Sequence, residues 1–177
     1  MKKLVSILLF ILTTNSYSEI INGHTLPPEP DSKINNSTLL GIDSNNNGVR
    51  DDVERWIYEE YKDKHPIHID IAMQAARGYK LVLETPERAK EIYSEVDKAA
   101  YCEGYFRVCI NKDMKEKIKL ERISTSDMFT KKIYFNTKAR MDAYIQYDTL
   151  LSGDSYTVPW CSESKQLCDF DTSKYEE

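Results

Sequence analysis

Residues 67–84 read IHIDIAMQAARGYKLVLE, and this stretch decides the fold. Ile71, Ala75, Gly78 with Tyr79, and Val82 recur at spacings of three and four, so they share one face of an α-helix. Gly78 weakens such a helix by up to ~1 kcal/mol relative to alanine. Its presence therefore points to close packing at that position. His65-Pro66 precedes the stretch, and Thr85-Pro86-Glu87-Arg88 follows it. The residue before a proline avoids the helical region, so each boundary is marked.

Working outward, Val53, Trp56, Ile57 and Tyr61 place an amphipathic helix over about Asp51 to Lys62. Thr85 and Pro86 read as N-cap and first turn of a third helix. It carries Ala89, Ile92, Tyr93, Val96, Ala99 and Ala100 toward Cys102. A short helix is expected over about 112–121. The longest is expected over about 126–151, with Phe129, Ile133, Thr137, Met141, Tyr144, Asp148 and Leu151 on one face and Gly153 as its stop. No alternating strand pattern or hairpin dipeptide is apparent, and Tyr105 to Ile110 is the one run that suits a short strand. The expectation is all-α: a small bundle of four to five helices over residues 43–153. A proline-rich extended lead-in, 19–42, precedes it, and an irregular, disulfide-stapled tail, 154–177, follows.

The first residues stand outside this domain. Met1-Lys2-Lys3, the apolar run Leu4 to Leu12, and Ser16-Tyr17-Ser18 read as a signal peptide, 1–18, cleaved after Ser18. The run is shorter than the roughly 20 residues that span a bilayer. A periplasmic or secreted protein is expected, with no stable membrane insertion after cleavage. The remaining chain holds 22 basic and 29 acidic residues, a net charge of −7. That balance argues against nucleic acid, whose phosphates need Lys and Arg, and suits a cation or a basic protein partner. Cys102, Cys109, Cys161 and Cys168 form an even set in an exported chain, which predicts two disulfides. Proximity in sequence favours 102–109 with 161–168, and cross-pairing is the alternative. Seven residues along an intact helix separate Cα atoms by roughly 10.5 Å, whereas a disulfide needs less than about 7 Å. The near pairing therefore requires a helix break, for which Gly104 is available. The spacing within each pair is too wide for a four-cysteine zinc site.

One segment names a ligand. Residues 43–54, DSNNNGVRDDVE, put oxygen-bearing side chains at loop positions 1, 3, 5, 9 and 12, with glycine at position 6. Calcium takes six to eight hard oxygen ligands, and alternating donors on a tightly curved loop can supply them. The candidate ligands are Asp43, Asn45, Asn47, the carbonyl of Val49, Asp51 and Glu54. Glu54 falls in the first turn of the following helix, where negative charge is also favoured by the helix dipole. At these twelve residues the chain resembles the EF-hand calcium loop. It departs from that family at position 8, which is Arg50 rather than aliphatic, and in having no incoming helix and no second loop. It is thus most similar to the half-EF-hand loops of dockerin-like and thrombospondin-type repeats. The resemblance implies a structural calcium clamp, not an opening switch.

Other constellations are weaker. His65 and His68, with Asp70, suit a solvated helix start more than a metal site. No glycine-flanked serine is present, the cysteines are committed to bridges, and the acidic pairs read as solvated faces. Twelve tyrosines suit either a tyrosine-rich core or a binding surface. The expected function is therefore an exported calcium-binding protein, non-catalytic and acting as a structural, binding or immunity-like inhibitor protein of the bacterial envelope. The alternative is an exported hydrolase acting on cell wall through a carboxylate pair.

Overall fold

A computed structural model describes residues 19–110 and 120–176. The leader, 1–18, and most of the short helix expected over 112–121 lie outside the described residues. The chain is helical. Its small β-sheet is a hairpin of β1 (Ile20–Ile21) and β2 (His24–Thr25). A short helix α1 (Ser32–Asn35) follows, and then a five-helix bundle: α2 (Asp51–Tyr61), α3 (Ile67–Glu84), α4 (Ala89–Val96), α5 (Lys98–Gly104) and α6 (Lys138–Leu151). A last helix, α7 (Cys161–Gln166), lies in the tail.

α3 is the centre of the bundle, and α2, α4, α5 and α6 all pack on it. Ile67, Ile71, Ala72, Ala76 and Val82 are fully buried, so α3 is apolar around most of its circumference. Burial of each such Ile or Val side chain contributes roughly 1.5–3 kcal/mol. The expected span, 67–84, matches α3 end to end. Gly78 does mark a close approach. A Cβ there would sit 3.2–3.3 Å from the Val96 carbonyl oxygen and Cα, where the end of α4 crosses. α2 buries Val53, Ile57 and Tyr61, and its first turn gathers Asp51, Asp52 and Glu54 at the positive end of the helix dipole.

The expected helix over 126–151 is broken in two. Met128–Tyr134 forms a π-helical turn, Phe135 leaves the helical region, and Thr137 caps α6 by accepting from the Arg140 amide at 3.2 Å. The break sets Asn136, an exposed residue, where its Oδ1 accepts from Arg140 at 2.7 Å. The run from Tyr105 to Cys109 is a π-helical turn continuing α5, not a strand. The hairpin was signalled after all by Asn22-Gly23, both with positive φ (51° and 78°), the pairing that two-residue hairpin turns demand. The lead-in also holds α1, because Asp31 accepts from the Lys33 and Ile34 amides at 3.0 Å each and caps it.

Both disulfides form, with the cross pairing. Cys102 joins Cys168 and Cys109 joins Cys161, at Cα separations of 5.0 and 5.7 Å. The near pairing fails because the helix does not break: Gly104 keeps helical φ and ψ. Two turns apart, Cys102 and Cys109 then face the same side and meet the tail running antiparallel. The tail is irregular apart from α7 and a 3₁₀ turn at Thr172–Tyr175. Closing a loop of 66 residues removes about 4 kcal/mol of unfolded-chain entropy. Disulfides of this kind belong to oxidising compartments. Among the described residues no helix is long and apolar enough to cross a membrane.

Two buried arginines fix the lead-in to the bundle. Arg140 is fully buried and donates to the Asn35, Thr38 and Leu39 carbonyls and to the side-chain oxygens of Asn36 and Asn136. Arg50 pairs with Asp52 at 2.5 Å and donates to the Ile133 and Tyr134 carbonyls. Arg50 itself belongs to the loop 43–54, which follows the segment held by Arg140.

Candidate cation-binding loop

The loop is closed at its neck by the Asp51 amide donating to the Ile42 carbonyl at 2.8 Å. Asn46 and Gly48 take positive φ (56° and 85°), which asparagine and glycine tolerate and which folds the loop back on itself. Val49 points its side chain into the core and is fully buried, so it anchors the loop to the bundle.

The donors are placed as follows. Asp43 accepts from the Asn47 and Gly48 amides at 3.1 and 3.0 Å, and Lys80 Nζ stands 3.8 Å from its Oδ2. Asn45 Oδ1 accepts from the Asn47 amide at 3.2 Å, and Asn47 Oδ1 accepts from the Val49 amide at 2.9 Å. The two side-chain amides converge on Glu54 Oε2, donating at 3.1 and 2.9 Å. Asp51 accepts from the Ser44 amide at 2.9 Å. The structure thus brings Asn45, Asn47 and Glu54 to one point. Asp43 and Asp51 instead bind the loop's own backbone. Among the described residues no three His, Cys, Asp or Glu side chains group closely enough to hold a metal by themselves.

Electrostatically the loop is acidic and partly dehydrated. Glu54 is 0% exposed and Asp51 is 1% exposed. Burial pushes the Asp51 carboxyl above its usual range; hydrogen bonds from Ser44 oppose this, and the charges of Glu54 and Asp43 add to it. A buried carboxylate is costly unless paired. Part of that pairing comes from a residue that sequence reasoning missed. His24, on β2, sets Nε2 2.6 Å from Glu54 Oε1 and stacks on Tyr58 at 4.2 Å. The Asn22-Gly23 turn was the signal that could have found it, since that hairpin carries His24 back over α2.

The donor chemistry fits calcium. Three carboxylates and two side-chain amides fall within twelve residues of the loop and the first turn of α2, and all can offer hard oxygen ligands. Each amide oxygen uses one lone pair on a backbone N–H and keeps another. An ion would have to draw Asn45 and Asn47 away from Glu54, to which they now donate.

The remaining candidates have packing roles. His68 is buried against Tyr61, with ring centroids 5.5 Å apart, and its Nδ1 lies 2.8 Å from the His65 carbonyl. His65 packs on Tyr175, whose hydroxyl donates to Asp70 at 2.7 Å. Tyr61, Tyr105 and Tyr147 are buried in the core, while Tyr58 and Tyr144 pack half-buried against it.

Comparison with protein-family models, with curated proteins and with solved structures returned no match.

Proposed function

We propose that this chain is an exported helical protein of the bacterial envelope whose 43–54 loop binds calcium, and that it works by contact with another protein rather than by catalysis. The observation that carries this reading is the fully buried Glu54 carboxylate at the meeting point of the Asn45 and Asn47 side chains. Asp43, Asn45, Asn47, the Val49 carbonyl, Asp51 and Glu54 would hold the ion. When bound it would supply a divalent charge that neutralises the loop carboxylates and fixes the first turn of α2. Asp51, Glu54 and Glu103, the buried acids among the described residues, are too enclosed to meet a substrate, which disfavours the hydrolase alternative. Exposed Val108, Val158 and Trp160, beside the Cys109–Cys161 bridge, supply the kind of surface a binding protein uses.

The test is a calcium titration read by melting temperature. Isolated extracellular sites of this type have Kd around 10⁻⁴–10⁻³ M. At about 1 mM calcium, linkage then adds roughly 0.4–1.4 kcal/mol, or about 1–5 °C in Tm. The double variant Asp43→Ala with Glu54→Gln is expected to lose the whole shift. A wild-type protein whose Tm ignores millimolar calcium would overturn the assignment.

A further inference from the structure

The loop's own residues help to line a hollow of about 220 Å³, walled by Gly41, Asp43, Gly48, Arg50, Lys80 and Tyr134. Its chemistry is opposite to that of the loop. Arg50 is 3% exposed, and among the described residues its Nη1 is a buried donor without a hydrogen-bond partner. A buried donor left unmade costs about 1–3 kcal/mol, more when it is charged. Sequences retain such a group where something else completes it.

The surroundings leave a positive charge to be met. Arg50 and Arg140 both donate to Asn136 Oδ1, so two guanidiniums sit side by side. The carboxylate bonded to this pair is Asp52. Burial pulls the Arg140 guanidinium down to about 10, and the neighbouring Arg50 charge acts in the same direction. Lys80 adds a third cation in the wall, 3.8 Å from Asp43 Oδ2, so three cations there face the two carboxylates of Asp52 and Asp43. The one acid in the wall, Asp43, has its oxygens engaged by the Asn47 and Gly48 amides. Glycine is required at Gly41, where φ is +69° and a Cβ would fall 2.3 Å from Arg50 Cδ. The backbone is thus pressed against the arginine stem, which holds the guanidinium in place.

We propose that this hollow is a binding site for a small free oxyanion, the phosphate or carboxylate group of a small molecule, held between Arg50 and Lys80. With Nε and Nη2 of Arg50 already engaged, Nη1 is the donor left for one oxygen of either group, and the Lys80 ammonium can meet another. The volume is below the roughly 300–1,000 Å³ of pockets for drug-sized ligands, so the occupant is a few atoms in size.

The experiment is thermal unfolding of the full mature chain with a calcium chelator present, so that it is independent of the calcium reading. Inorganic phosphate and acetate are titrated in separate arms against chloride at matched ionic strength. The expected result is saturable stabilisation by at least one oxyanion, with the arms showing which chemistry is preferred. Lys80→Ala should raise the midpoint about tenfold, and Arg50→Lys more, because one ammonium cannot both hold the Ile133 and Tyr134 carbonyls and reach the anion. Should Arg50→Lys fail to fold, half-exposed Lys80 still decides the matter. Stabilisation no greater than that from chloride, or a saturable effect that Lys80→Ala leaves unchanged, would overturn the site.

Discussion

Arg140→Ala is the perturbation that reads how the lead-in to the candidate loop is held. Arg140 donates to five neutral oxygens, four of them between Asn35 and Leu39 and one on Asn136. Truncation removes a costly buried cation but leaves those acceptors behind. Asn35 is buried together with it, whereas Asn36, Thr38, Leu39 and Asn136, which carry the other four acceptors, are exposed residues. A stranded acceptor costs about 1–3 kcal/mol, and the emptied guanidinium volume adds a cavity term. Water reaching the oxygens of the four exposed residues, and the charge no longer desolvated, offset part of this. The expected net loss is about 3–5 kcal/mol. For a chain of this length each kcal/mol lowers Tm by about 2–4 °C, so the fall is about 6–20 °C. Arg140→Lys should recover less than half, since one ammonium with three donors cannot serve five spread oxygens. Thermal unfolding followed by circular dichroism measures the loss. Amide exchange at Ile42, which donates to Asn35 Oδ1 at 2.9 Å, localises it. An Arg140→Ala protein melting within about 2 °C of wild type, with the Ile42 amide still protected, would refute the view that this side chain fastens the lead-in.

Partial reduction followed by alkylation should label Cys109 and Cys161 first, because Cys161 is exposed whereas Cys102 is fully buried; peptide mapping that finds Cys102 and Cys168 labelled first would contradict the packing. Gly78→Val is expected to cost about 1–3 kcal/mol, as the end of α4 must retreat from the new side chain, and denaturant unfolding checks it. Tyr79→Phe removes the hydroxyl that donates to the Ser124 carbonyl at 2.5 Å and should cost about 1–2 kcal/mol by the same measurement. Burial pushes the Tyr79 and Tyr134 hydroxyls far above their usual range, and Tyr58 up to about 12. The fold therefore retains protons that the unfolded chain releases near pH 10, so stability is intact below that point and falls as pH rises through it. Tyrosinate absorbance for these rings should appear only together with loss of helical circular dichroism.

The parts of the molecule legible in sequence are those whose causes are local. α3 was readable because its core contacts recur at helical spacing, and the 43–54 loop because its turn residues and donors sit in one short run. Gly78 signalled a close approach for the same reason. The break at Phe135 and Asn136 was not readable. It serves Arg140 and Arg50, and Arg50 lies 86 positions from Asn136. Helical periodicity carries no trace of such a demand, and the alternation of Phe129, Ile133, Thr137 and Met141 continues smoothly across the break. The disulfides were half readable. Equal spacing of the two cysteine pairs fits two rungs between antiparallel segments as well as two local clasps, and only the intact helix at Gly104 chooses between them. The hairpin was legible in Asn22-Gly23 but lay in a stretch dominated by prolines.

That division bears on the loop itself. Its acids are local, but the groups that answer them are not: His24 meets Glu54 from 30 residues away, and Lys80 meets Asp43 from α3. A turn made only for shape would not need a fully buried glutamate, since backbone amides and water satisfy exposed asparagines at no comparable cost. Glu54 has instead been sealed under a hairpin, with two amide side chains and an imidazole gathered on it. Neutral amides and a partly exposed histidine are weak compensation for a carboxylate wholly removed from water, with Asp51 beside it already pushed toward its neutral form by burial. A cation at this point would relieve both acids at once. On the proposed calcium reading, stabilisation by the ion is therefore expected to vanish with Glu54→Gln even when every backbone turn of the loop is preserved.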